Sequence, residues 1–362
     1  MKRTIIYSIL VCTLFISACS TDLDVIGKYK ETLVVYGLLD IGKDTQYVKI
    51  NKAFLGAGNA YQYALIKDST QFKNALDVKI KCVNSGITYN LTPANYFPKD
   101  PGLFYSPDQT NVIYKLYTDG KMHPTVGGIM YPILDPNSTY ELTVTDGETG
   151  TKVTSQTLIV SDISGFINPN PLGSSFSFVI AGFYPNYKFK VEWNTAPNAR
   201  DYQVVLRLNY TDSTSTGNIV KTLDYNMPEL TTDGVNGLSG GEDFSVELNG
   251  SDFYKFIGTS LTDYPGLLGR YPGNVDVMLV AGSDNFATFI QVNTPSTGII
   301  QERPEFTNIV GGLGLFSSRC NTAPFSRPLS GSSLDSLSGG QYTCKLRFLN
   351  QTGSSGVWTG CH

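Results

Sequence analysis

Tyr140-Glu141-Leu142-Thr143-Val144-Thr145-Asp146-Gly147 alternates apolar and polar residues for the length of one strand, then breaks at a dipeptide that favours the tight turn of a β-hairpin. The chain returns through Thr157 to Val160. The same period of two appears upstream, where Val78, Ile80 and Cys82 are separated by Lys79 and Lys81. Further back, Leu33-Val34-Val35-Tyr36-Gly37-Leu38-Leu39 is apolar without interruption, which predicts a strand covered on both faces. Together these predict an Ig-like β-sandwich over residues 31–160.

The character of the chain changes over 161–187. Asn168-Pro169-Asn170-Pro171-Leu172-Gly173 cannot continue a central strand, and the stretch reads as a linker. Alternation resumes at 188, with Phe189, Val191 and Trp193 on one face, and again at Tyr202, Val204, Leu206 and Leu208. Trp193 followed by Pro197-Asn198-Ala199-Arg200-Asp201-Tyr202 resembles the second and third strands of a fibronectin type III domain, which implies that the indole packs between two sheets. Further strands are expected at Phe244-Val246-Leu248, Val275-Val277-Leu279 and Phe289 to Val292, with one short helix from Ser251-Asp252 through Ile257. This second sandwich is expected over 188–319. Residues 320–362 read as a C-terminal extension, Ser/Pro/Gly-rich at first, in which Tyr342, Cys344, Leu346 and Phe348 begin a closing hairpin returned by Val357-Trp358.

Composition agrees with that pattern. Among 362 residues, 22 tyrosines and 36 glycines with only 16% charged residues favour strands and turns over long helices. The expected fold class is all-β, with two consecutive Ig/fibronectin-like β-sandwich domains and a cysteine-containing C-terminal extension. The chain is mildly acidic, with 31 acidic against 27 basic residues and no basic tract, which argues against nucleic acid as a partner.

The first residues carry an address. Lys2 and Arg3 precede an apolar run from Ile5 to Ile16 that is too short to span a bilayer, so residues 1–18 read as a signal peptide. Ile16-Ser17-Ala18-Cys19 resembles a lipobox, which implies that Cys19 carries the lipid anchor and that 19–30 is a tether. Ser20, Asp22 and Asp24 resemble the short acidic export signal of Bacteroidota surface lipoproteins. That resemblance implies an outer-membrane protein facing the cell exterior, with the periplasmic face as the alternative.

Cys82, Cys320, Cys344 and Cys361 permit two disulfides in three connectivities, Cys344 pairing with Cys361 or Cys320; buried free thiols are the alternative. Reaction chemistry is sparse. His362 ends the chain, and His123 reads as a solvated loop residue with no Cys, Asp or Glu at metal-ligand spacing. Gly311-Gly312-Leu313-Gly314 lacks the strand-to-helix context of a dinucleotide site and reads as a tight turn or bulge. Asp146-Gly147-Glu148 lacks the alternating acids of a calcium loop. No carboxylate pair stands out for glycoside hydrolysis. The expectation is a protein without catalytic residues, metal or cofactor. Tyr96, Phe97, Phe104 and Tyr105, set among prolines and a glycine, are the candidate ligand or partner contacts, with Trp358; the alternative is a plug folded onto the sandwich. Asp68-Ser69-Thr70, Asp212-Ser213-Thr214 and Asp335-Ser336-Leu337 resemble O-glycosylation triplets of the same bacteria.

With Cys19, the opening Glu31-Thr32-Leu33-Val34-Val35-Tyr36-Gly37, the Tyr140–Val144 strand and Phe306-Thr307-Asn308-Ile309-Val310-Gly311-Gly312-Leu313-Gly314-Leu315-Phe316, the chain resembles the Bacteroidota lipoproteins grouped as domain of unknown function 4249. The resemblance spans about residues 19–320, and the late segment is its most specific part. It implies a lipid-anchored β protein, often encoded near TonB-dependent transporters, with no established catalytic residue to carry over. The expected function is that of a surface lipoprotein accessory to an outer-membrane protein such as a TonB-dependent transporter. Capture of a glycan or other ligand is the first alternative, and an adhesin or structural surface component the second.

Overall fold

The computed structural model describes residues 32–53, 59–94, 112–118, 122–124, 130–132, 134–180, 187–232, 238–294 and 305–349. The protein is all-β. Its first half contains β1 (Leu33–Asp40), β2 (Thr45–Lys52), the short helices α1 (Ala60–Leu65) and α2 (Lys67–Thr70), β3 (Asp77–Cys82), β4 (Thr88–Asn90), β5 (Thr92–Pro93), β6 (Ile113–Tyr117), β7 (Met122–Pro124), β8 (Met130–Pro132), β9 (Thr139–Thr145) and β10 (Lys152–Leu158). The second half contains β11 (Phe166–Asn168), β12 (Lys188–Asn194), β13 (Asp201–Thr214), β14 (Gly217–Asn226), β15 (Leu230–Thr231) and β16 (Asp243–Asn249). Helix α3 (Gly250–Ser260) then leads to β17 (Leu267–Gly282), α4 (Asp284–Asn293), β18 (Leu313–Asn321), β19 (Phe325–Arg327), α5 (Gly331–Gly339) and a 3-10 turn at Cys344–Leu346.

One ten-stranded sheet runs through the molecule in the order β14-β13-β17-β18-β1-β2-β6-β5, with β15 and β19 alongside β13 and β17. Two smaller sheets cover its two ends. The sheet β10-β9-β3-β4 faces β1, β2 and β6 across a core of Val35, Leu39, Ile50, Ile80, Tyr140 and Val144. The sheet β11-β12-β16, with α3, faces β13 and β17 across a core that includes Trp193, Tyr202, Leu206, Val277 and Phe253. Alternation in sequence becomes alternation in burial: Tyr140, Leu142 and Val144 are buried while Glu141 and Thr143 are only partly so. Each large side chain buried this way contributes roughly 1.5–3 kcal/mol. Trp193 lies between the sheet layers against Tyr202, and the Tyr202 hydroxyl accepts the Ala196 N–H at 2.7 Å.

Strand β18 joins the two halves. It lies antiparallel to β17 and parallel to β1, setting Tyr36 beside Leu315 and Asp40 beside Arg319. The approach to it is held by side chains acting as backbone. Asn308 donates to the Phe316 carbonyl at 2.6 Å and accepts the Phe316 N–H at 2.9 Å, while Val310 exchanges backbone hydrogen bonds with Thr154 of β10. The glycine-rich run is a turn and close approach: Gly311 has φ +82°, and Gly314, at φ +109°, lies so near β1 that a Cβ would overlap the Val35 carbonyl. Ser318 completes the joint, donating to Leu158 O at 2.6 Å and accepting Val160 N–H at 3.0 Å.

Several expectations are corrected. The two sandwiches are not closed off one after the other, because β18, expected inside 188–319, extends the sheet of the first unit, and Ile309 and Phe316 enter the first core. The stretch 161–187 is no linker over its described part: β11 pairs with β12, and Phe176 and Phe178 are buried in the second core. Phe289 to Val292 is helix, since Ser283 opens α4 and Asp284 occupies its first turn. Residues 320–349 are not an extension. Strand β19, α5 and the 3-10 turn bury Leu337, Leu346 and Phe348, and Cys344 and Leu346 lie in that turn instead of a closing strand. Cys82 and Cys320 are buried free thiols, whereas Cys344 is disulfide-bonded, so a Cys344–Cys320 pairing does not occur; Cys361 lies outside the described residues. The backbone at His123 is strand, paired with Tyr131 in the β7–β8 ribbon.

Candidate functional site: an aromatic cleft at the joint

The outward face of the β18-β1-β2 junction is an open cleft of about 620 Å³, within the roughly 300–1,000 Å³ of ligand-binding pockets. Its floor is organised by one buried glutamine. The Gln46 carboxamide accepts the Asp40 N–H at 2.8 Å and donates to Asp40 O and Lys43 O, both at 2.9 Å, and to Thr118 Oγ1 at 3.1 Å. It thereby fixes the turn between β1 and β2 that carries Lys43 and Asp44. Asp40 is buried, with Oδ1 accepting Gly42 N–H at 3.0 Å, Oδ2 accepting Asn321 Nδ2 at 2.9 Å, and Arg319 Nε 3.5 Å from Oδ2. Burial raises its pKa above the ordinary 3.8, although the Gly42 N–H and the charges of Arg319 and Lys43 work in the opposite direction.

The walls are rings. Tyr36 on β1 is 43% exposed and Tyr47 on β2 is 44% exposed. Phe289 of α4 meets Tyr36 edge-to-face, with centroids 6.1 Å apart, an arrangement that fixes the tyrosine ring. Helix α4 is positioned by Ser283, whose N–H donates to Ser318 O at 3.0 Å and whose hydroxyl lies 2.5 Å from that of Ser317. Gly282 is needed there, because a Cβ would overlap the Phe286 ring.

Polar groups of both signs stand beside the rings. The Lys43 and Asp44 side chains are exposed, and Arg319 is 40% exposed along its side chain while its Nε is buried facing Asp40. The cleft therefore offers apolar ring faces, donors and an acceptor on a rigid frame, an arrangement suited to non-covalent recognition. Among the described residues no three His, Cys, Asp or Glu side chains are grouped to hold a metal ion.

The cleft residues are not the ones expected from sequence. Cys19, Ser20, Asp22, Asp24, Tyr96, Phe97, Phe104, Tyr105, Trp358 and Cys361 lie outside the described residues. The triplets fall in regular structure: Ser213 is paired on both sides within β13, Ser69 lies in α2, and Ser336 in α5 donates to Ser332 O. The uninterrupted apolar run of β1, expected to be covered on both faces, is covered on one: on its outer face Val34 and Leu38 are half-buried and Tyr36 is exposed, and that face is the cleft.

No family model and no curated protein matches the chain. Among solved structures, a cytokine receptor complex is similar over 69% of this chain and 90% of its own, at 10% identity and a TM-score of 0.20. The C-terminal globular domain of an oligosaccharyltransferase from Pyrococcus abyssi is similar over 69% of this chain and 47% of its own, at 9% identity and a TM-score of 0.24.

Proposed function

We propose that this protein is an outer-membrane lipoprotein, anchored through Cys19 and exposed on the cell surface, that acts without catalysis as a binding module beside an outer-membrane protein such as a TonB-dependent transporter. The observation that carries the binding role is the preformed cleft: exposed Tyr36 and Tyr47 stand on paired strands, and Phe289 buttresses the first of them. Exposed rings on a rigid sheet lose little conformational entropy when they bind, and such rings dominate recognition surfaces. The lipobox-like Ile16-Ser17-Ala18-Cys19 supports the anchor, and the resemblance to the Bacteroidota lipoproteins supports the transporter as neighbour.

Purification of the lipidated protein from its own outer membrane in mild detergent is expected to bring a barrel protein with it, and a Cys19→Ser chain is expected to leave the membrane fraction. Repeated recovery of the protein alone, or membrane retention of Cys19→Ser, contradicts the proposal. Capture of a ligand by the protein itself is the second reading, favoured by the mixture of ring faces and hydrogen-bonding groups in the cleft.

A further inference from the structure

We infer that the cleft binds a neutral oligosaccharide. The inference rests on the reading of the cleft as a binding site and adds the chemistry of what enters it. A sugar ring presents an apolar C–H face and a rim of hydroxyls that both donate and accept. A site that recognises it needs a flat exposed ring, donors and acceptors close by, and a frame that does not have to reorganise. All of these occur on β1, β2 and the turn between them, with α4 and β18 alongside. Tyr36 and Tyr47 supply the rings on paired strands, and Phe289 holds one of them in place. Lys43 and Asp44 supply a donor and an acceptor on the turn that Gln46 fixes, and the partly exposed Arg319 side chain lines the cleft beside them.

Charge selects between ligand classes. The lining contains Lys43 and Arg319 against Asp40 and Asp44, so its formal charges cancel. A phosphate or a polyanionic chain would gain from a surplus of cations, as at sites that recognise such groups. A neutral polyhydroxylated ligand requires none. An aliphatic ligand would make no use of the Lys43 and Asp44 groups that stand beside the rings. The cleft is also open at the surface, so it accommodates a residue within a longer chain as readily as a chain end.

The test is a glycan array followed by titration calorimetry on the full-length lipidated protein in a detergent without a sugar headgroup. The array carries neutral gluco-, manno-, galacto- and xylo-oligosaccharides beside their uronic-acid and sulfated counterparts. The expected result is binding to at least one neutral series, weakened about tenfold or more by Tyr36→Ala and by Tyr47→Ala. The more conservative Tyr47→Leu should also bind weakly, and far-UV circular dichroism should be unchanged for all three. Binding to no neutral glycan, tighter binding to the charged counterparts, or neutral binding that survives both alanine variants overturns the inference. If a barrel protein copurifies while no neutral glycan binds, this inference falls and the accessory role stands.

Discussion

At Gly314 the chain passes so close to β1 that only hydrogen fits, and its φ of +109° excludes a side chain on conformational grounds as well. Gly314→Ala is expected to destabilise the protein by about 3 kcal/mol or more, since strain and overlap act on the same backbone; urea unfolding measures this directly. Asn308 acts at the same joint through its carboxamide, which pairs with the Phe316 backbone as a strand would. The motif most specific in sequence is thus explained by the joint it forms. Gly311-Gly312-Leu313-Gly314 was legible as a turn from its glycines. That the turn delivers a strand to the other half of the molecule was not legible, because the pairing partner, β1, lies more than 270 residues upstream and leaves no local pattern.

Among the elements, β17 and the C-terminal segment are locked by a buried ion pair. Arg270 lies on Asp212 at 3.0 Å and also donates to Leu346 O at 2.6 Å and Thr262 O at 2.7 Å. Lys221 and the Tyr264 hydroxyl complete the carboxylate's partners. Burial opposes ionisation of Asp212, yet these hydrogen bonds and charges prevail and hold its pKa below 3.8. Its stabilising contribution is therefore present above that ordinary value and drains away as pH falls below it. Arg270→Met is expected to cost about 3–5 kcal/mol, because it removes the buried cation beside Asp212 and the donor of Leu346 O and Thr262 O together. Melting as a function of pH should show the deficit at neutral pH shrinking as pH falls below 3.8. The same segment shows why elements differed in legibility. Strands such as Phe189–Trp193 announce themselves by period two, and the helix at Ser251–Ile257 by its opening residues. Helix α4 carries aromatic and β-branched residues, Phe286, Phe289, Ile290 and Val292, that read equally well as strand, and α5 is mostly serine and glycine, so their positions are set by tertiary packing on β18 and on the second core.

For the whole molecule, the consequence of the shared sheet is cooperativity. The two cores meet through β18, which is hydrogen-bonded to both β17 and β1 and tied by Ser318 to Leu158 and Val160. Differential scanning calorimetry is expected to give a single unfolding transition, with equal calorimetric and van't Hoff enthalpies; two separated transitions would mean that the joint does not couple the halves. A rigid joint also places the cleft where both halves contribute to it: Tyr36 and Tyr47 come from one, and Phe289 and Arg319 from the other. The proposed binding role requires that face to be the one in use. The most direct measurement is photocrosslinking in living cells, with benzoylphenylalanine in place of Tyr47 and, as control, in place of exposed Ile219 on the edge strand β14. An adduct formed from position 47 and absent from 219 is the predicted result. An adduct from 219 with none from 47 would contradict it.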